Sequence, residues 1–177
     1  ETREGGALVG AEVRLVKEKA GDEEIFAAAA DRAGAVWLAT RNGLYRYWPG
    51  GRTERFTTAQ GLPVNDIGAL FLDRAGQLLV GTTRGLCRLV AAPDLSARVV
   101  ERVYTTRDGL PDNWIRAIFQ SADGTLWVVP PGGAMLSELR PGDQSFRTYT
   151  AENGLNGELG ALGEDREHRL VEAAAEE

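Results

Sequence analysis

One stretch of the chain decides its fold: residues 109–129 read Gly-Leu-Pro-Asp-Asn-Trp-Ile-Arg-Ala-Ile-Phe-Gln-Ser-Ala-Asp-Gly-Thr-Leu-Trp-Val-Val. The stretch contains a turn, a short apolar segment, a tight turn at Asp123-Gly124 and a second apolar segment. Residues 61–82 follow the same order with different side chains. Because self-similarity within a chain is the signature of repeat architectures, the repeat predicts the fold.

The spacing of the repeat separates two classes of repeat protein. The Gly-Leu pair begins at Gly61, Gly109 and Gly154, which lie 48 and 45 residues apart. A period in the forties is typical of propeller blades and also of some helical repeats. The apolar segments are short and broken by turns, so they cannot form the paired helices of a helical repeat. We therefore predict an all-β chain, a β-propeller of about four blades with four antiparallel strands each.

The repeat also predicts how a single domain covering residues 1–177 is divided. Residues 21–63, 64–111 and 112–156 are each expected to form a whole blade, and a fourth blade is expected to be split. Residues 1–20 would supply its third and fourth strands, and residues 157–177 its first and second strands. Pairing of these terminal strands would close the ring and remove its open edges. The alternative is that the chain is a segment of a larger propeller.

The predicted strands follow from short apolar runs between turn signals such as Asn42-Gly43 and Asp31-Arg32-Ala33-Gly34. They are expected at 25–30, 36–40, 44–48, 53–58, 67–72, 78–82, 86–90, 99–105, 115–119, 126–129, 135–139, 146–150, 159–164 and 170–174.

Charge and composition argue against several classes of function. The 177 residues carry a net charge of -6, whereas nucleic-acid binding usually rests on a basic surface. No apolar run is long enough to cross a membrane, so we expect no membrane insertion by this chain. The single cysteine, Cys87, lies in an apolar run and is expected to be a buried structural thiol. The single histidine, His168, cannot supply a histidine-based metal cluster, so we expect no metal, no cofactor and no enzymatic activity.

The loops that lead into the inner strands are the best candidates for a binding site. Each loop carries a carboxylate or an amide, and these groups would form a polar collar where the inner strands converge. Such a collar could hydrogen-bond a sugar, and Trp114 could stack on its face. The alternative is that the Asn and Asp residues only cap turns. The predicted ligand-binding residues are Asn65, Asp66, Asp112, Asn113, Trp114 and Asn156.

Other conspicuous side chains are expected to be structural. Trp37 and Trp127 lie in the middle of equivalent strands, where packing between blades is the better account. Arg46, Arg88 and Arg116 are isolated in the sequence, and their carbon stems are expected to lie along apolar surface.

These motifs resemble the two-component regulator propeller repeats. Gly109-Leu110, Asp112-Asn113, Asp123-Gly124 and Leu126-Trp127-Val128 match the pattern of that family's blade, and residues 64–86 and 31–45 match it in part. The resemblance implies a propeller in the extracytoplasmic or periplasmic part of a sensory regulator, with a small polar ligand such as a glycan.

Three functions remain open at this stage. The first is a ligand-sensing module for signal transduction that binds at the axial mouth of the propeller. The second is a protein-interaction or assembly scaffold without a small ligand, in which open strand edges could also drive oligomerisation. The third is a propeller lyase or hydrolase, which a weaker likeness to lyases of cyclic peptide antibiotics suggests.

Overall fold

A computed structural model describes residues 23–90, 93, 95–155, 159, 161–164 and 170–173. Within these residues the chain forms fourteen β-strands and three single-turn 3₁₀ helices. The strands make three four-stranded sheets and one two-stranded sheet, and every neighbouring pair is antiparallel. Each sheet keeps the order of the chain, so each is a simple meander of hairpins.

The strands of the three whole sheets have similar lengths and the same order of turns. The first sheet contains β1 (Ile25–Ala30), β2 (Val36–Thr40), β3 (Gly43–Tyr47) and β4 (Thr53–Phe56). The second contains β5 (Ile67–Leu72), β6 (Leu78–Thr82), β7 (Gly85–Leu89) and β8 (Val100–Tyr104). The third contains β9 (Ala117–Gln120), β10 (Leu126–Val129), β11 (Leu136–Leu139) and β12 (Arg147–Tyr149), and the last sheet pairs β13 (Ala161–Glu164) with β14 (Leu170–Ala173).

The first strands of successive sheets lie next to one another. Strand β1 packs against β5, β5 packs against β9, and β9 packs against β13. Sheets that meet along their first strands are the blades of a β-propeller. The predicted fold class is therefore confirmed. The strands predicted within residues 1–20, and with them the pairing that would close a four-bladed ring, lie outside the described residues.

Three predicted outer strands are too long at their carboxyl ends. The strands predicted at 53–58, 99–105 and 146–150 end at Phe56, Tyr104 and Tyr149, and a 3₁₀ helix follows each of them. In the second blade Thr105 caps the helix Thr106–Asp108: its side chain accepts from the Arg107 N–H, and Asp108 accepts from the Thr105 N–H at 2.8 Å. This reciprocal capping box stabilises a turn where we expected extended chain. The helices Thr58–Gln60 and Ala151–Asn153 are capped in the same way.

Strand β9 begins two residues later than predicted, and the reason is a contact between blades. The Ile115 N–H donates to the Thr82 carbonyl oxygen of the second blade at 3.0 Å. The chain around residue 115 therefore bonds to the preceding blade before it joins its own sheet. The Leu159 N–H makes a corresponding bond to the Gly133 carbonyl oxygen at 2.9 Å, and β13 likewise begins after it.

The hydrophobic core lies between the blades. Trp37 and Phe56 of the first blade pack in one cluster with Ile67 and Val80 of the second. The Trp37 indole is 2% exposed and stacks on the Phe56 ring at 5.5 Å, so its predicted role in packing between blades is confirmed. A second cluster joins the second blade to the third, from Leu79, Leu86 and Tyr104 to Ile115, Val128 and Phe146.

The predictions for one partly buried and one fully buried side chain are also confirmed. Trp127 packs against a cluster that contains Leu159, and its indole N–H donates to the Ser121 hydroxyl at 3.2 Å. The Cys87 thiol is fully buried in the core, and burial raises its pKa to about 12. A thiol with this pKa stays protonated near neutral pH, which excludes a role as a thiolate nucleophile.

Arginine side chains join the turns of neighbouring blades. The Arg32 guanidinium donates to the carbonyl oxygen of Arg74, and the Arg74 guanidinium donates to the carbonyl oxygen of Ala122 at 2.6 Å. These three residues hold the same position in the turn between the first and second strands of their blades. Each contact therefore fixes one blade to the equivalent turn of the next.

Candidate functional site

The predicted site lies on two loops that we call the mouth loops, residues 61–66 and 109–114. Each runs from a 3₁₀ helix into the inner strand of the next blade. The first loop carries Asn65 and Asp66, and the second carries Asp112, Asn113 and Trp114. The remaining predicted residue, Asn156, lies outside the described residues.

The two asparagines hold the mouth loops in place. The side-chain oxygen of Asn65 accepts from the Thr58 N–H at 2.9 Å, and that of Asn113 accepts from the Thr106 N–H at 2.9 Å. Each amide therefore satisfies a free N–H at the start of the preceding 3₁₀ helix. These two oxygens have the structural capping role that the sequence left open as an alternative.

The second mouth loop is fixed both within itself and to the preceding blade. A side-chain oxygen of Asp112 accepts from the Trp114 N–H at 2.8 Å, which closes a tight turn. The Asn113 carbonyl oxygen accepts from the N–H of Gly85, the first residue of β7, at 2.6 Å. The backbone on both sides of Trp114 is therefore held, so its side chain projects from a fixed position.

Trp114 is the large apolar side chain with the greatest exposure among the described residues. Half of its surface, 50%, is open to solvent. Its Nε1 atom lies 4.0 Å from the point where a β-carbon on Gly68 would stand, so the indole lies beside the inner strand β5. Asp66 holds the same position in the first mouth loop and is half-buried. An exposed aromatic face and a carboxylate thus stand at equivalent places of neighbouring blades.

The first blade contributes a carboxylate that the predicted set of site residues omitted. Glu23 accepts from the Tyr45 hydroxyl at 2.9 Å, and its second oxygen is buried without a hydrogen bond. Burial, followed by the bond to Glu23, raises the pKa of Tyr45. Glu23 precedes Ile25 by two residues, just as Asn65 precedes Ile67, so alignment of the repeats is the signal that could have identified it.

Clefts between neighbouring blades open at the opposite end of the molecule, where the first and second strands turn. The cleft between the first and second blades has a volume of about 210 Å³ and is lined by Asp31, Trp37 and Arg46. Arg46, isolated in the sequence, has close partners in the fold: its guanidinium donates to Asp31 at 2.9 Å and lies over the rings of Trp37 and Trp48, at 4.7 and 3.9 Å from their centroids. The first cleft is therefore occupied by a paired and stacked arginine.

Two other kinds of feature are absent from the part of the chain that the structure describes. No group of three or more His, Cys, Asp or Glu side chains there could hold a metal ion. No helix among the same residues is long and apolar enough to span a membrane.

The radial sheets and the mouth loops define this chain as a β-propeller protein. Residues 109–129 match the family model described as Two component regulator propeller, so the chain carries a repeat of that family and the resemblance seen in its motifs is confirmed. No curated protein sequence matches the chain significantly.

Solved structures with similar folds include extracellular domains of two component systems and a lyase. The extracellular domains of two proteins assigned to hybrid two component systems of B. thetaiotaomicron superpose with TM-scores of 0.67 and 0.69, at 24% and 20% identity, over 82% and 83% of this chain. Virginiamycin B lyase from Staphylococcus aureus superposes with a TM-score of 0.61 at 15% identity, over 85% of this chain and 48% of the lyase. This chain spans only 20% and 21% of the two extracellular domains, and identities this low show a shared fold alone.

Proposed function

We propose that the chain is part of an extracytoplasmic sensor propeller that binds a small polar ligand, such as a glycan, at the mouth loops. The observation that carries this proposal is the half-exposed indole of Trp114 on a loop whose backbone is bonded on both sides. The repeat family of residues 109–129 and the extracellular location named for two fold neighbours support it.

The geometry suits a carbohydrate better than an apolar ligand. A sugar ring has an apolar face that packs on an indole, and its hydroxyl groups donate to carboxylate oxygens. Asp112 precedes Trp114 by two residues and Asp66 holds the position equivalent to Trp114 in the neighbouring mouth loop, so we infer that these two carboxylates supply such oxygens. The fixed loop backbone also reduces the conformational entropy that binding would otherwise cost.

The second candidate function is a protein-interaction scaffold, and one exposed side chain favours it. Leu95 lies between β7 and β8, on the outer part of the second blade, and is 45% exposed. An apolar side chain on an outer loop fits a protein partner better than a sugar. The two functions therefore predict different sensitive residues, Trp114 for a glycan and Leu95 for a protein.

The experiment is calorimetric titration of the protein with a panel of neutral and uronic acid oligosaccharides. We expect saturable binding that Trp114→Ala weakens at least about tenfold, equivalent to about 1.4 kcal/mol, while Trp114→Phe keeps part of the affinity. Leu95→Ala is the matched control, because it removes an equally exposed apolar side chain from a different surface. Absence of binding to every sugar, or binding that Trp114→Ala leaves unchanged, would overturn the proposal.

A further inference from the structure

The second blade breaks a charge pattern that the other two whole blades keep. Across the third and fourth strands, Arg46 stands directly opposite Glu54 in the first blade, and Glu138 stands opposite Arg147 in the third. At the corresponding place in the second blade, Arg88 stands opposite Arg102. Like charges directly opposite one another destabilise an antiparallel pair, so this exception needs a compensating interaction.

Arg88 lacks the partner that its counterpart in the first blade has. Arg46 donates to Asp31, whereas Arg88 makes no ion pair within the described residues. The Nε atoms of both arginines are buried without a hydrogen bond, so the missing carboxylate partner is what distinguishes Arg88. Asp73 holds the position of Asp31, and both accept from the N–H four residues further on, but only Asp31 also accepts from the arginine of its blade. Arg88 is half-buried, and a half-buried guanidinium without a carboxylate partner can gain a charge-assisted hydrogen bond from an anion that reaches it.

The cleft between the second and third blades brings a third arginine to this pair. Its volume is about 380 Å³, larger than the 210 Å³ of the first cleft, and Arg88, Arg102 and Arg140 all line it. The guanidinium carbons of Arg88 and Arg102 lie 5.8 and 4.3 Å from the centroid of the same ring, that of Tyr104. Two cations are therefore held against one buried aromatic side chain.

The carboxylates around this cleft are distributed unevenly among its three arginines. Asp73 and Asp143 line the cleft together with the three arginines. Behind them, Asp108 lies 3.5 Å from Arg102, and Glu138 lies 3.1 Å from Arg140. Arg88 remains the one cation of the three without a carboxylate partner among the described residues.

We propose that this cleft binds an oxyanion: a carboxylate, sulfate or phosphate group, either free or carried on a small ligand. Guanidinium groups bind such oxyanions through paired, charge-assisted hydrogen bonds. An oxyanion between Arg88 and Arg102 would relieve their repulsion and supply the missing acceptor. The cleft opens at the end opposite the mouth loops, so this inference stands independently of the proposed glycan site.

The test is calorimetric titration at constant ionic strength with inorganic sulfate and phosphate, and in separate arms with glucuronate and glucose 6-phosphate. We expect saturable binding with one site, and an increase in melting temperature when the anion is bound. Tighter binding of glucuronate or glucose 6-phosphate would show that the site prefers an oxyanion attached to a small ligand. Tighter binding of sulfate or phosphate would show that it prefers a free oxyanion. Absence of saturable binding by all four would overturn the proposal.

Variants distinguish this site from general attraction of anions. Arg88→Gln and Arg102→Gln should each weaken binding at least about tenfold, because each removes a guanidinium that lines the cleft. The matched control is Arg147→Gln, which removes an exposed arginine from the position in the third blade that corresponds to Arg102. Binding that both cleft variants leave unchanged, with circular dichroism showing that they fold, would refute the site, as would equal weakening by Arg147→Gln.

Discussion

Alanine substitutions at two equivalent glycines test how tightly neighbouring blades are packed. Gly109 and Gly154 each follow a capped 3₁₀ helix and adopt left-handed backbone conformations, with φ of 90° and 87°. A β-carbon at Gly109 would stand only 2.1 Å from the carbonyl oxygen of Phe146, whereas one at Gly154 would meet no atom of the described residues within 4 Å. Comparison of the two alanine variants therefore separates the effect of a backbone clash from the cost of placing alanine in a left-handed conformation.

The expected free energies follow from these two terms. A left-handed conformation costs alanine about 1–2 kcal/mol, and this cost applies at both positions. The clash at Gly109 adds about 1–3 kcal/mol, because the Phe146 backbone must move. That backbone donates to the Asp108 carbonyl oxygen at 2.7 Å, and the Phe146 ring packs against Tyr104, so both contacts would be disturbed. Alanine also reduces the entropy of the unfolded chain, but equally in both variants.

Urea unfolding monitored by circular dichroism measures the difference. We expect Gly109→Ala to lower the free energy of unfolding by at least about 1 kcal/mol more than Gly154→Ala does. In a thermal melt each kcal/mol corresponds to a decrease of about 2–4 °C for a chain of this size. Equal losses in the two variants would refute the argument that contact with Phe146 decides the cost.

Two further predictions concern buried or bonded side chains. Asn113→Ala should cost about 1 kcal/mol in urea unfolding because the Thr106 N–H loses its acceptor, whereas Asn113→Asp keeps an acceptor and should cost less; the reverse order would contradict the capping role. Burial raises the pKa of the Cys87 thiol from 9.0 to about 12. As the pH rises, the thiol therefore loses its proton in the unfolded state before it does so in the folded state. The free energy of unfolding should consequently fall above pH 9, by about 1.4 kcal/mol per pH unit. Unfolding between about pH 8 and pH 10 should show a shallower fall for Cys87→Ala, and an identical fall would refute the assignment.

The sequence predicts the strands best where both ends carry a local signal. Strands β5 and β6 have the predicted bounds, because an apolar run leads on each side to the turn at Gly76. The 3₁₀ helices were missed although Thr105 and Asp108 have the spacing of a capping box. Threonine is also common in strands, so Thr105 fits the end of a strand as well as the cap of a helix.

The candidate sites depend on register, which the sequence reveals less well. The loop position of Trp114 is visible in the repeat, and its exposure is consistent with that position. The pairing of Arg46 with Asp31 joins residues 15 positions apart, and only the pairing of strands brings them together. Arg88 stands opposite Arg102 next to a register shift between Arg88 and Leu89. A register shift changes which side chains face each other, so the spacing of residues in the sequence does not predict that Arg88 and Arg102 are paired.

The arginine contacts between blade turns have a consequence for how such a propeller changes its number of blades. Arg32 and Arg74 both donate to a backbone carbonyl oxygen, which every residue type provides. A donor blade therefore needs no particular side chain in the blade that follows it, as the alanine at position 122 illustrates. A duplicated blade could be inserted after the blade that carries either arginine. Its backbone would accept the arginine's hydrogen bond without a compensating substitution. Growth by duplication thus requires less coordinated change in this architecture than one in which paired side chains join the blades.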